Sequence, residues 1–404
     1  MSIRVLIPSA IVLLSLVWFG VASDSTQTQP SKAMLPGARA EIEAAKFPSL
    51  QAALNALPKE GGVVRIPPGT FEISQPLVLK RGDVLIQGSG AATHIKNVNT
   101  DGQPALVVKH PDGENVKADD KLWRVMLSNF RITGNEKSGH GIEALLVNEI
   151  FIHGVTVGYH GGDGIKLDRC YEDPRVSDCL ITYNKQTGVN LAGCHDIVVS
   201  ANQFEENRDA LRCFDGFNLC FTGNCVDDHV GDGVVIENTY GSVVSGNMIE
   251  ECDGRGIVLA RDCYGITLSA NVIAHNGGGI DLVDAHGCAV SANTFVLLKM
   301  PPKAKDGTQP AQLDTRCLRI AKDSSRITVT GNSFCDSYIG EGAVKRKVND
   351  QLAGGIVLEG TRDVTIAGNT FSSLPKAVEM RQPKSENVLF SNNLLIEAPS
   401  ELAP

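Results

Sequence analysis

Aromatic side chains are scarce in this chain: they make up 5% of its 404 residues, and only 2 are tryptophan. Clustered positive charge is also missing. No basic run exceeds Lys345-Arg346-Lys347, the formal net charge is −9 and the pI is near 5.5. A nucleic-acid footprint needs a basic face, so nucleic acid is not expected as a partner. None of the 11 cysteines forms a Cys-x-x-Cys pair, which removes the usual zinc spacing. Glycine shows no three-residue period, which excludes collagen, and a hydrophobic share of 42% excludes disorder. A packed soluble protein is left.

The beginning of the chain reads as a targeting signal. Arg4 precedes an apolar run from Val5 to Phe19, and the small residues Gly20, Ala22 and Ser23 lead into the polar stretch Asp24 to Lys32. Charge, apolar core and small-residue cleavage site are the order of a secretory signal peptide. The run is shorter than the roughly 20 residues a bilayer span needs. We expect a signal at 1–22, a linker at 23–45 and one domain at 46–404. The mature protein is then secreted or periplasmic, without membrane association.

What is abundant is repetition. From Trp123 onward a β-branched segment, a small residue and Asn recur, followed by Gly and Ile or Val. Asn202, Asn224, Asn247, Asn271 and Asn293 are 22 to 24 residues apart; so are Gly141, Gly164, Gly188, Ala210, Gly233, Gly256 and Gly279. A period this short with alternating Val, Ile and Leu is incompatible with helical repeats. Each unit instead holds two or three short strands, and stacked units pair strand upon strand at roughly 4.8 Å. The expected fold is all-β, a right-handed parallel β-helix with coils of about 23 residues. The recurrent Asn then sits inward at a turn and bonds its counterparts above and below. Cys170 and Cys194 fall on adjacent coils, where either a disulfide or two buried thiols would fit.

Units such as Val364-Thr365-Ile366-Ala367-Gly368-Asn369-Thr370-Phe371 and Gly355-Ile356-Val357-Leu358 resemble those of the pectate-lyase-like superfamily of right-handed parallel β-helices. The opening is similar too. Phe47 to Leu57 looks like the amphipathic helix that caps the first coil, and Gly62 to Phe71 looks like a first rung. The resemblance spans about 46–396 and implies the fold more strongly than any one chemistry.

In each Gly-Ile-x-Leu-x rung the two x residues face solvent. One outward column reads Glu143, Lys166, Asn190, Arg212, Val235, Val258, Asp281; the other reads Leu145, Asp168, Ala192, Phe214, Glu237, Ala260, Val283. Lys166, Asp168, Asn190, Arg212 and Glu237 thus form a charged patch about four rungs tall, suited to three or four sugar units. Flanking turns add His160, Tyr171, Arg208, Asp209, His229 and Asp232. Abstraction of the proton alpha to a uronate carboxylate needs a cation or amide on that carboxylate and a base beside the carbon. Arg212 and Asn190 fit the first task; Lys166, His160 or Tyr171 fit the second, with Asp168 expected to pair with Lys166. Asp168, Asn190, Arg208, Glu237, His229 and Asp232 are the expected substrate contacts.

A second cluster competes. Insertions at 299–315 and 337–352 would wall a cleft floored by Asp281, Arg319 and Lys322, with His275 and His286 nearby. Asp173-Pro174-Arg175 resembles the Asp-Pro-His signature of mannuronan C5-epimerases, with Arg175 in the histidine position and Tyr171 just before it. Gly139-His140-Gly141 and Asp227-Asp228 resemble pieces of the polygalacturonase set, in reversed order. Gly277 to Leu282 resembles one calcium nonapeptide of toxin-like β-rolls, of which a lone copy binds nothing by itself; calcium stays open as an assisting ion and no other cofactor is implied. The expected function is a carbohydrate-active enzyme, a polysaccharide lyase or C5-epimerase acting on an acidic polysaccharide. A glycoside hydrolase using Asp209 and Asp232, and a non-catalytic glycan-binding scaffold, are the alternatives. Oligomeric state is open.

Overall fold

In the computed structural model each repeat closes one coil of a parallel β-solenoid, because its three short β-branched runs are separated by residues that turn the chain. One coil comprises Arg175–Ser177, Leu180–Thr182 and Thr187–Ala192; the next comprises Val198–Ser200, Gln203–Glu205 and Asp209–Phe214, paired with the first in register. The structure describes residues 35–296, 316–335 and 354–403. The expected signal peptide and both long insertions lie outside them. Among the described residues no helix is long and apolar enough to cross a membrane.

Among the described residues stacking gives three parallel sheets of 16, 13 and 12 strands, here called sheets I, II and III in the order the chain meets them within a coil. Sheet I begins at Ala40–Glu43, which pairs with Gly62–Arg65, so the solenoid starts within the segment expected to be linker. The capping helix is shorter than expected, Leu50–Asn55, with Ser49 as its N-cap. Leu50, Ala53 and Leu54 face the first coil. Gln51 completes the lid: its side chain accepts from the Val78 N–H (2.7 Å) and donates to the Val78 carbonyl (3.1 Å), replacing the missing rung above sheet III.

The expected asparagine stack is present at the corner between sheets I and II. It runs on past Asn293 through Asn332, Asn369 and Asn393, each Nδ2 donating to the next Oδ1 at 2.9–3.1 Å. The residue before each Asn takes a left-handed φ, as Ala201 (56°) and Gly223 (65°) do, which turns the amide inward. Part of the small aromatic complement fills the core: Phe204, Phe221, Phe295, Phe334 and Phe371 are fully buried, and the last three stack with centroids 4.7–4.8 Å apart. Cys170 and Cys194 are buried free thiols on adjacent coils. Their mutual hydrogen bond and their burial raise the Cys194 pKa well above that of an ordinary thiol.

Candidate functional site

Sheet III carries the charged stripe expected from the sequence. Glu143, Lys166, Asn190 and Arg212 occupy successive rungs in exact register, followed by Val235, Val258, Asp281 and Arg319. The neighbouring column runs Leu145, Asp168, Ala192, Phe214, Glu237. The structure therefore brings Lys166, Asn190, Arg212, Asp168 and Glu237 onto one outward face. Their pairing differs from the expectation. Lys166 Nζ reaches Glu143 on the rung before it (3.1 Å), whereas Asp168 is held by Arg169 (2.8 Å). Arg212 bonds Glu237 one rung on (3.2 Å) and lies 3.6 Å from Asp209.

A carboxylate edge borders this stripe where the chain enters sheet III. Asp163, Asp209 and Asp232 each accept a backbone N–H from the following coil, those of Thr187 (3.0 Å), Asp232 (2.9 Å) and Arg255 (2.7 Å). Asp163 Oδ2 accepts from Asn190 Nδ2 at 2.9 Å, and Asp209 Oδ2 is buried without a hydrogen bond. Burial raises the pKa of Asp232, although the Arg255 N–H and guanidinium oppose the shift. His140 belongs to this edge as well: its Nδ1 accepts the Asp163 N–H at 2.9 Å. Sequence reasoning missed Asp163 and noted His140 only within the Gly139-His140-Gly141 likeness. Their signal was available, since both precede a rung glycine as Asp232 does.

Three expected site residues stand elsewhere. His160 and His229 are interior, 0% and 1% exposed, in the wall of the corner between sheets II and III. Burial lowers each to a pKa of about 4. The His160 ring lies against the Ile132 backbone, and His229 Nδ1 faces the Asn207 backbone. Neither can be a surface base or touch substrate. Between them run Asn184 and Asn207, a second amide stack that the sequence reading did not single out (Asn184 Nδ2 to Asn207 Oδ1, 2.8 Å). Tyr171 lies at the opposite corner, leaving sheet III, with Lys121 Nζ 4.2 Å above its ring and the His195 ring 4.5 Å away.

Arg208 bonds Gln186 (3.3 Å) and borders a cleft of about 570 Å³ that also contains Tyr159, Tyr183 and Lys185. The two tyrosine rings stack at 5.0 Å. In the competing cluster Asp281 is buried and clamped by Arg319 (2.8 and 3.3 Å) and Arg255 (2.8 Å), so its carboxylate is already occupied. His286 bonds Asp284 (3.0 Å) and Ser325 (2.9 Å) and stands at the corner of Tyr171. Among the described residues two groups could hold a cation: Asp262, Asp284 and His286, and the all-carboxylate set Asp227, Asp228 and Glu251, whose oxygens are the donors a calcium ion prefers. In the second group burial, then Asp228, Glu250 and the other carboxylates, push the Asp227 pKa up to about 6.

Comparison with known proteins gives the fold a lineage. Solved structures similar to this chain include the mannuronan C-5 epimerase AlgE6 A-module of Azotobacter vinelandii (17% identity, TM-score 0.62, covering 90% of this chain and 100% of that one). DFA-IIIase of Arthrobacter chlorophenolicus A6 is similar at 11% identity and TM-score 0.63, over 86% and 97% of the two chains. ORF18 of Geobacillus virus E2 follows at 15% and 0.58, where 74% of this chain spans 62% of the viral one. No curated protein sequence matches. The family model described as right handed beta helix region matches residues 84–241 and 123–295, more than half of the 404. The chain therefore belongs to the right-handed β-helix family.

Proposed function

We propose that the protein is a secreted carbohydrate-active enzyme that lays an acidic polysaccharide along sheet III and works on it by β-elimination or C5-epimerisation. The observation that carries this reading is the run Lys166, Asn190, Arg212 on three successive outward rungs. Asn190 and Arg212, amide and cation one rung apart, meet uronate carboxylates, whose repeat is close to the rung spacing of roughly 4.8 Å, and leave Lys166 on the rung before them for the proton. Neutralising the carboxylate acidifies the proton on the adjacent carbon. A base takes that proton. The electron pair then either expels the C4 oxygen, forming the C4–C5 double bond while the leaving oxygen is protonated, or recaptures a proton on the opposite ring face. Of the expected bases only Lys166 stands on this face. Structural neighbours named for mannuronan epimerisation support the same substrate class.

The test is a panel of uronic-acid polysaccharides monitored for the ultraviolet absorbance of an unsaturated product and for change of the C5 configuration by NMR. Lys166→Ala and Arg212→Ala should each lower the rate by about a hundredfold or more. Intact activity in both variants would overturn the assignment. Asp232 favours a second reading, hydrolysis, because its raised pKa suits a general acid and Asp209 lies on the adjacent rung. New reducing ends without absorbance, abolished by Asp232→Asn, would select it.

A further inference from the structure

The corner where the chain leaves sheet III carries an outward column of rings that the proposed reaction does not use. Tyr171, His195, Phe217, Tyr240, Tyr264 and His286 stand on six successive coils; from His195 onward they pair in parallel register, and the Tyr171 ring packs against His195. Ring centroids are 4.5 Å apart for Tyr171 and His195, 4.7 Å for His195 and Phe217, and 5.4 Å for Phe217 and Tyr240. In a chain with 5% aromatics this is a marked concentration, and Phe217 and Tyr264 are 42% and 47% exposed. Exposed apolar stretches of this kind mark binding surfaces. Beyond Tyr240, Tyr264 and His286 the next residue is Gly241, Gly265 and Gly287, each with a φ near 60°, so no side chain rises over the ring edges there.

The flanks say what can lie on it. Asp196 and Asn218 bond across one rung (2.8 Å), Asp215 and Asn238 across the next (2.8 Å), and Asp262 and Asp284 continue the series. The basic residue interleaved with them, Arg261, is already shared between Asp215 (3.7 Å) and Glu237 (3.9 Å). Stacked bases of a single-stranded nucleic acid need a cationic groove, which the described flanks of this column do not form. An anionic polysaccharide meets the same repulsion. A neutral polysaccharide meets none: its ring faces are apolar C–H surfaces for the aromatic rings, its hydroxyl rim donates to the carboxylates and amides, and one hexose is about as long as one rung.

We infer that the ring column from His195 to His286 is a docking track for an uncharged polysaccharide chain lying parallel to the solenoid axis. It is separate from the sheet III groove and independent of the reaction that groove performs. The test is affinity electrophoresis of the full chain through gels containing neutral glycans (β-glucan, xylan, mannan), with alginate as the anionic comparison. At least one neutral glycan should retard the protein. Phe217→Ala with Tyr264→Ala should weaken that retention about tenfold or more.

Phe217→Trp should keep retention and add a glycan-dependent change in tryptophan emission that the parent protein does not show, a readout that needs no destabilising change. Lys166→Ala and Arg212→Ala should leave retention unaltered, so a failed enzyme assignment and a failed track are told apart. The inference is overturned if no neutral glycan retards the protein, or if the paired alanine variant binds as before. It also fails if retention is lost on changing Lys166 or Arg212, or if the paired variant only converts a dimer to a monomer in sedimentation.

Discussion

The two corners of sheet III share one period and have opposite chemistry. Where the chain enters the sheet, His160, Asn184, Asn207 and His229 are buried, with the two amides bonded to each other and to backbone and His229 Nδ1 facing the Asn207 backbone. Where it leaves, Tyr171, His195, Phe217, Tyr240, Tyr264 and His286 point outward. Recurrence every 22 to 24 residues assigns a residue to a rung, but it does not say on which side of the wall the side chain stands. A histidine on the first corner is a stability element. A histidine on the second is available to ligand.

Acid should separate the corners most sharply. His160 and His229 have folded pKa values of about 4 against an ordinary value of 6.5, because burial disfavours the charged ring. Below pH 6.5 the unfolded chain takes protons the native state refuses. The stability present above pH 6.5 is therefore lost as the pH falls through 4, by about 3 kcal/mol for each ring. Urea unfolding midpoints at pH 7 and pH 4 check this, and His229→Asn should remove about half of the difference. Asp227 acts in the other direction. Its folded pKa of about 6 exceeds the unfolded value, so its share of stability is present at acid pH and lost as the pH rises through 6. Asp227→Asn should steepen the acid loss and raise the midpoint at pH 7.

Next in size is the amide stack itself. Asn207 is fully buried; its Oδ1 accepts from both the backbone and side-chain N–H of Asn184, and its Nδ2 donates to the Ile181 carbonyl (2.8 Å). Asn207→Ala strands two buried donors of Asn184, which should cost about 3 kcal/mol in urea unfolding. Asn207→Asp should cost as much or more, since it places a charge where burial penalises one.

Much of this was legible in the sequence because two markers, the Asn series and the Gly series, keep the same period. Strand alternation then puts Lys166, Asn190 and Arg212 on one outward column, as the register bears out. The ion pairs were not legible. Residues i and i+2 on a strand are roughly 6.6 Å apart, farther than rungs spaced at about 4.8 Å, so Lys166 reaches across to Glu143 instead of along to Asp168. Corner residues were less legible still. A left-handed residue such as Tyr159 (φ 63°) before His160 resets the alternation, and strand parity carried past it misassigns the side chain. Glu172 (52°) and Asp196 (57°) do the same next to the aromatic column.

The smallest expected effect is the one that most sharpens the comparison. Phe217 is 42% exposed and its ring touches the outer column, His195 and Tyr240, not the core. Removing it opens no cavity and orphans no polar group, so the cost is the loss of two exposed ring contacts. Phe217→Ala should lower the unfolding free energy measured in urea by less than about 1 kcal/mol, against about 3 kcal/mol for Asn207→Ala on the same turn of the solenoid. An equally large loss for Phe217 would mean that the outer rings hold the coils together as the inner amides do. The two corners would then share one structural task. A near-silent Phe217 leaves the outer column without a role in folding, which is the condition under which an exposed row of rings is explained by what it binds.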